Sequence, residues 1–140
     1  MDHSLASALN WLSGNPSLLS GMRRGLEKES LRVDPHNQLA KTAHPYAFGS
    51  ALTHPWITTD YSEALIELIT PATTSIQETL GWLDDIHRFL FAHSEQEVLW
   101  ANSMPCILGS DDDIPLAQYG NSNIGQMKTL YRHGLGIRYG

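Results

Sequence analysis

The chain has 140 residues, of which 41% are apolar and 17% are charged, and its formal net charge at pH 7 is −6. This composition is ordinary for one globular domain, and the acidic balance argues against non-specific nucleic-acid binding, which needs a basic face. Cys106 is the only cysteine, so no intrachain disulfide can form and we expect a cytoplasmic protein. No apolar run approaches the roughly 20 residues that span a bilayer. The N-terminus also lacks a signal-peptide pattern, so we expect no membrane partner.

The first predicted elements are a short helix and a strand. The segment Ser4 to Leu12 carries three leucines on one helical face, and Gly14-Asn15-Pro16 ends it. Gly25 to Val33 is typical of a strand. The sequence Asp34-Pro35-His36-Asn37 predicts a turn into a second strand near residues 38–41, which would make a hairpin.

A second strand-like segment runs from Trp56 to Pro71. Its last part, Ala64 to Thr70, could also form a helix, because Glu63 and Glu67 are four residues apart. Its short apolar block, its isoleucines and the terminal proline favour a strand. The prediction for this segment is therefore a strand that ends where proline stops the hydrogen-bonded ladder.

Four acidic residues lie inside these two segments: Glu27, Glu29, Asp60 and Glu67. Residues two apart on a strand point to the same face, so Glu27 and Glu29 would lie side by side, roughly 6 to 7 Å apart. Carboxylates that converge on one surface repel each other unless a cation lies between them, and hard cations such as magnesium require oxygen ligands of this kind. Spacing alone leaves open the alternative of ordinary carboxylates on the wet face of an antiparallel sheet.

The second half of the chain predicts two helices joined by loops. Ser75 and Glu78 form a capping-box signature before a helix with an apolar stripe of Ile76, Leu80, Leu83, Ile86 or His87, and Leu90, which we expect to be core. Residues 109–115 form a loop whose aspartates lack the spacing of a calcium site. A last helix is expected over residues 125–135, and Cys106 is expected to be a small buried side chain.

The chain carries the motif Arg-Gly-Leu-Glu-Lys-Glu-Ser-Leu-Arg at residues 24–32 and Trp-Ile-Thr-Thr-Asp at residues 56–60. Further motifs lie within residues 44–45, 49–54, 63–71, 103–106, 116–123 and 128–132. In their sequence and order these motifs resemble those of the proteobacterial type of glutamate–cysteine ligase. Members of this family are several times longer, so the resemblance implies that residues 1–140 are the amino-terminal part of a single larger catalytic domain.

The resemblance implies an ATP-dependent ligation of the γ-carboxylate of L-glutamate to the amine of L-cysteine through γ-glutamyl phosphate. This is the first step of glutathione biosynthesis, and ATP is a co-substrate. In the family's pattern the positions of Glu27, Glu29, Asp60 and Glu67 are metal ligands, for magnesium or for manganese in its place. The implied fold is α+β: an antiparallel sheet with flanking helices, an incomplete form of the glutamine-synthetase-like architecture.

The resemblance also implies a substrate pocket. Tyr61, Tyr131 and Leu135 match positions that wall the pocket for the cysteine side chain, and position 61 is often phenylalanine in the family. Arg132 is the candidate for contacting the transferred phosphoryl group, since a guanidinium offers paired donors to phosphate oxygens. The alternatives are core aromatics for the tyrosines and a surface role for Arg132.

Two other functions stay open at the level of sequence. One is another carboxylate–amine ligase, including the ligase half of a bifunctional glutathione-synthesising enzyme. The other is a non-catalytic module that binds divalent cations. We expect a monomer, and we expect the 140-residue chain alone to be inactive, because the remaining metal ligands of the family pattern would lie beyond Gly140.

Overall fold

The computed structural model describes residues 4–139, with side chains described as far as Leu135. Helix α1 (Leu5–Gly14) begins where the Ser4 side chain accepts a hydrogen bond from the Ser7 amide, and a 3-10 turn (Pro16–Leu19) follows it. The predicted helix is thus confirmed. None of the residues of α1 is buried, so this helix contributes little to the core.

A four-stranded antiparallel sheet forms the centre of the fold, in the order β2-β3-β1-β4. The strands are β1 (Glu27–Val33), β2 (Ile57–Thr59), β3 (Leu65–Ile69) and β4 (Val98–Leu99). The α+β class and the strand assignment of both acidic segments are confirmed. The second segment is two strands rather than one, because the chain turns between Asp60 and Ala64 and pairs β2 with β3.

The predicted hairpin after β1 forms only a short second arm. The Asp34 side chain accepts hydrogen bonds from the amides of His36 and Gln38, which holds the turn. Beyond it, the pairing is limited to an isolated bridge between Val33 and Leu39. On the opposite edge, β1 pairs with β4 only at Arg32 and Val33. Within residues 4–139, the Glu27 end of β1 therefore has no strand partner on that side, as expected for an incomplete sheet.

One face of the sheet packs against helix α2 (Ile76–His93). Ile57, Ile66 and Leu68 alternate along β2 and β3 and contact Ile86 and Leu90 of the helix, with Phe48 closing the cluster. The opposite face is covered at one end only, where Val33 packs with Leu39, Ala40, Ala64 and Cys106. Cys106 is buried as predicted, and burial raises the pKa of its thiol.

Helix α2 begins as predicted, with the Ser75 hydroxyl accepting from the Glu78 amide. The predicted core stripe is only half right. Ile86 and Leu90 are buried and Leu83 is half-buried, whereas Ile76 and Leu80 are 56% and 51% exposed. The reason is geometric: the sheet and the 3-10 turn Tyr46–Phe48 meet the middle and end of the helix. Nothing in residues 4–139 covers the side of its first turns that carries Ile76 and Leu80, although Thr79 is buried there against Thr73.

The chain after β4 returns to the sheet and ends in helix α3 (Asn123–Tyr139), which is longer than the predicted residues 125–135. The predicted loop contains a 3-10 turn, Asp111–Asp113, in which the Asp113 carboxylate accepts from the Ser110 amide. No helix within residues 4–139 has the length and apolar character needed to cross a membrane.

Candidate functional site

The strand register places the four predicted carboxylates on the open face of the sheet. Glu29 lies directly opposite Glu67 across the β1–β3 pair, and Glu27 is two residues along the same face. Thr58 of β2 pairs with Glu67 from the other side, and Asp60 follows Thr58 by two residues. Side chains directly opposite in such a pair have Cβ atoms about 5 Å apart, and like charges there are destabilising. We call this set of four carboxylates the acidic face.

The charges of the acidic face act on one another. Partial burial raises the pKa of Glu67, and the carboxylates of Glu27, Asp60 and Glu29 raise it further, while Lys128 opposes them. The folding therefore brings together all four residues that the sequence suggested, although Glu27 and Glu29 are exposed and Asp60 and Glu67 half-buried.

The donor chemistry of the acidic face fits a hard divalent cation, because all four side chains offer carboxylate oxygens. Within residues 4–139, however, no three His, Cys, Asp or Glu side chains converge into a ready metal-binding group. The carboxylates spread along β1, β3 and the end of β2, which suits neighbouring cations better than one enclosed ion. No histidine of the described part of the chain completes such a group with them.

Lys128 belongs to the site, although the sequence analysis assigned no role to it. Its ammonium donates a hydrogen bond to the carbonyl oxygen of Asp60 and lies 5.1 Å from the centroid of the Tyr119 ring. The available signal was its spacing: Lys128 precedes Arg132 by four residues, so the two cations share one face of α3.

Two of the predicted pocket residues, Tyr61 and Tyr131, lie together with Arg132, the predicted contact of the phosphoryl group. The rings of Tyr61 and Tyr131 meet edge to face with centroids 5.6 Å apart. The guanidinium of Arg132 lies 5.7 Å from the centroid of Tyr61 and donates to the carbonyl of Ile114 at 2.7 Å. The Tyr61 hydroxyl is buried and has no hydrogen-bond partner within residues 4–139. Leu135, also predicted here, is half-buried one helical turn beyond Tyr131.

The sequence analysis missed a buried polar network that supports the site. The Glu63 carboxylate accepts hydrogen bonds from the amides of His44 and Gln118, both at 2.7 Å. Arg32 is 1% exposed; it pairs with Glu97 at 2.6 Å and donates to the Glu63 carbonyl at 3.0 Å. The sequence signal for this network was Glu63, an acidic residue between the small residues Ser62 and Ala64, all three of which are buried in the turn. This network fixes the loop between β2 and β3, and therefore the position of Asp60.

Comparison with known proteins agrees with this arrangement. The family model described as glutamate–cysteine ligase matches residues 9–140. The glutamate–cysteine ligase of Alcanivorax borkumensis is 60% identical over 122 residues, which cover 87% of this chain and 23% of that protein. The counterpart in Edwardsiella ictaluri is 54% identical over 136 residues, which cover 97% of this chain and 26% of that protein.

Two solved structures have the same fold over most of the chain. The Francisella tularensis glutamate–cysteine ligase in complex with AMP gives a TM-score of 0.74 at 42% identity, covering 84% of this chain and 24% of that one. A bifunctional glutathione synthetase from Pasteurella multocida gives 0.75 at 34% identity, covering 87% and 16%. The chain therefore shares its α+β fold with a glutamate–cysteine ligase and with a bifunctional glutathione synthetase. The chain belongs to the glutamate–cysteine ligase family, and it spans about a quarter of the length of the curated relatives it matches.

Proposed function

We propose that this chain supplies the acidic face and one wall of the substrate pocket of a glutamate–cysteine ligase. The proposed reaction joins the γ-carboxylate of L-glutamate to the amine of L-cysteine at the expense of ATP, through γ-glutamyl phosphate. The observation that carries the proposal is the opposition of Glu29 and Glu67 on the open face, flanked by Glu27 and Asp60. Unpartnered like charges are costly to a sheet, and a divalent cation that accompanies a nucleotide removes that cost.

The chemistry of the reaction explains why such a surface is needed. A free carboxylate is anionic and has a poor leaving group, and phosphorylation overcomes both obstacles. Phosphorylation, however, brings a triphosphate against another anion. Divalent cations held by Glu27, Glu29, Asp60 and Glu67 would neutralise that repulsion when bound. The protein's own part is to hold Glu27, Glu29 and Glu67 in fixed register on the paired strands β1 and β3, with Asp60 directly after β2.

The predicted pocket residues and Arg132 have a complementary role in the proposal. Tyr61 and Tyr131 form an edge-to-face pair that would wall one side of the cysteine pocket, with Leu135 one helical turn further along. Arg132, anchored on the Ile114 carbonyl, would present its remaining donors to the transferred phosphoryl group. Cys106 has no catalytic role here, because its thiol is buried and burial raises its pKa.

A related candidate is the ligase half of a bifunctional glutathione-synthesising enzyme. It is favoured by the likeness to the Pasteurella multocida protein, whose structure matches at a TM-score of 0.75. Both candidates share the ligation reaction and this site, and the sequence of the natural full-length protein decides between them. A cytoplasmic, monomeric enzyme remains our prediction for either one.

The test is a comparison of amide formation by two purified samples supplied with glutamate, cysteine, ATP and magnesium. The natural full-length protein should form γ-glutamylcysteine, whereas residues 1–140 alone should not, because catalysis of this kind depends on complete positioning. Absence of magnesium-dependent nucleotide binding in the full-length protein would contradict the proposal. It would favour a non-catalytic acidic module instead.

A further inference from the structure

The end of strand β2 is held by a single tyrosine from the loop before α3. The Tyr119 hydroxyl donates to the Thr59 carbonyl at 2.6 Å and accepts from the Thr59 hydroxyl at 2.8 Å. It also lies 3.1 Å from the Thr58 hydroxyl. Thr58 and Thr59 immediately precede Asp60, so these bonds hold the backbone on the N-terminal side of Asp60 in place.

Asp60 is then fixed at both of its own backbone polar groups. Its amide donates to the Leu65 carbonyl at 2.9 Å, and its carbonyl accepts from the ammonium of Lys128. The same ammonium lies over the face of the Tyr119 ring, a cation–π arrangement that restrains an otherwise flexible side chain. With both backbone groups occupied, the backbone of Asp60, from which its carboxylate projects, is held in place.

Helix α3 cannot slide independently of this arrangement. The Ser122 hydroxyl accepts from the Gly125 amide at 3.1 Å at the start of the helix. Gly125 packs so closely on the Gly120 carbonyl that a Cβ atom would not fit there. The position of Lys128 on α3 is therefore tied to that of Tyr119, the residue before Gly120.

We propose that Tyr119 and Lys128 are positioning residues that act as one clamp, fixing Asp60 in the acidic face and docking α3 beside it. Neither residue need touch a substrate. The competing explanation is that Lys128 acts only as a positive charge that offsets the carboxylates. This inference rests on the proposed ligase function, because the experiment measures ligase activity. The experiment distinguishes failure of the clamp from failure of the proposed function.

The experiment uses the natural full-length protein and five variants: Tyr119→Phe, Lys128→Met, the double variant that combines these two, Lys128→Arg and, as the matched control, Lys41→Met. Tyr119→Phe keeps every charge and removes only the hydroxyl. Lys41 is an exposed lysine remote in sequence from the site. The measurements are the magnesium concentration for half-maximal activity, the Michaelis constant for glutamate, and a thermal melt in the absence of metal.

The clamp predicts that Tyr119→Phe and Lys128→Met each raise the half-saturating magnesium concentration by about 10- to 100-fold, the usual cost of losing a group that orients a metal ligand. The constant for glutamate should change little, Lys128→Arg should restore part of the loss, and the double variant should lose less than the product of the single losses. A lower half-saturating magnesium concentration in Lys128→Met, or no change in Tyr119→Phe, would overturn the clamp. Inactivity of the unmodified protein would instead refute the proposed function.

Discussion

The two faces of the sheet are built from the same strands and treat charge in opposite ways. On the face toward α2, Arg32 is buried, and its two terminal nitrogens donate to Glu97, Thr42 and the Glu63 carbonyl. On the open face, Glu29 lies directly opposite Glu67, and the charge of Lys128 partly offsets the carboxylates around Glu67. Along β1 and β3, every second residue therefore faces α2 and contributes to stability, and the residues between them face the side of the proposed chemistry.

This difference indicates which face was shaped by function. A buried charge survives only when it is paired and hydrogen-bonded, and Arg32 meets that requirement. Opposed carboxylates lower the stability of the sheet and contribute nothing to folding. Such a local conflict is expected at functional sites, where a protein accepts a loss of stability.

The largest effect should come from the α2 face. Leu68 is 0% exposed and packs in the cluster with Ile86 and Leu90, so Leu68→Ala in the full-length protein should lower the free energy of unfolding by about 2 to 5 kcal/mol. The matched control is Leu80→Ala, since Leu80 is 51% exposed and should change stability by no more than about 0.5 kcal/mol. Denaturant titration measures both. Equal losses would mean that α2 packs differently from this structure.

The next effect separates function from stability on the open face. Glu27→Gln keeps the shape of the side chain and removes one charge. Magnesium affinity and turnover should therefore fall by about 100-fold or more, a larger loss than is usual for a residue that only orients a metal ligand. The melting temperature without metal should stay the same or rise, because a repulsion has gone. Asp112→Asn, in the exposed 3-10 turn, should alter neither. Near-normal kinetics at limiting magnesium would make Glu27 an ordinary surface carboxylate.

A smaller effect is expected at the pocket beside the acidic face. Tyr61→Phe should be tolerated, because the buried hydroxyl has no partner within residues 4–139 and the ring contact with Tyr131 remains. Tyr61→Ala should raise the Michaelis constant for cysteine by about 10- to 200-fold, the range for losing part of a small apolar pocket, and affect glutamate less. Equal losses for both substrates in a properly folded variant would remove Tyr61 from the pocket.

Local pattern predicted the strands and the acidic face well, for identifiable reasons. Glu27 and Glu29 follow the two-residue period of a strand, and Thr70-Pro71 marks the end of β3, so their placement needs no long-range information. The second strand-like segment carries Asp60 and Glu67, and the register of β1, β2 and β3 places them on the same face as Glu27 and Glu29.

What the sequence could not provide was the set of contacts between distant segments. Lys128 and Asp60 are 68 residues apart, and Glu63 and Gln118 are 55 apart; no local period encodes either contact. Ile76 and Leu80 were misjudged for a similar reason. Their spacing is that of a core stripe, but their exposure depends on how much of the helix the sheet reaches.

The smallest predicted effect concerns the paired charges around Arg32. Burial lowers the pKa of His44 below its ordinary value of 6.5, and the positive charge of Arg32 lowers it further, while Glu63 opposes both. Because the folded-state pKa is depressed, the unfolded chain takes up this proton first as the pH falls. The contribution of His44 to stability is therefore fully present above pH 6.5 and is lost as the pH falls from there toward the folded-state pKa.

Thermal melts of the full-length protein between neutral and mildly acidic pH should show this loss, and His44→Gln should flatten it while lowering stability at every pH. His36→Gln, in the exposed turn after β1, should leave the slope unchanged. An unaltered slope in His44→Gln would mean that another group on the buried face takes up the proton. Both ring nitrogens of His44 are buried without a hydrogen-bond partner within residues 4–139. A protonated imidazole there would lose its hydration beside the positive charge of Arg32, and these two effects outweigh the opposing contributions of Glu63 and the Gly49 backbone, which is the physical basis of the expected sign.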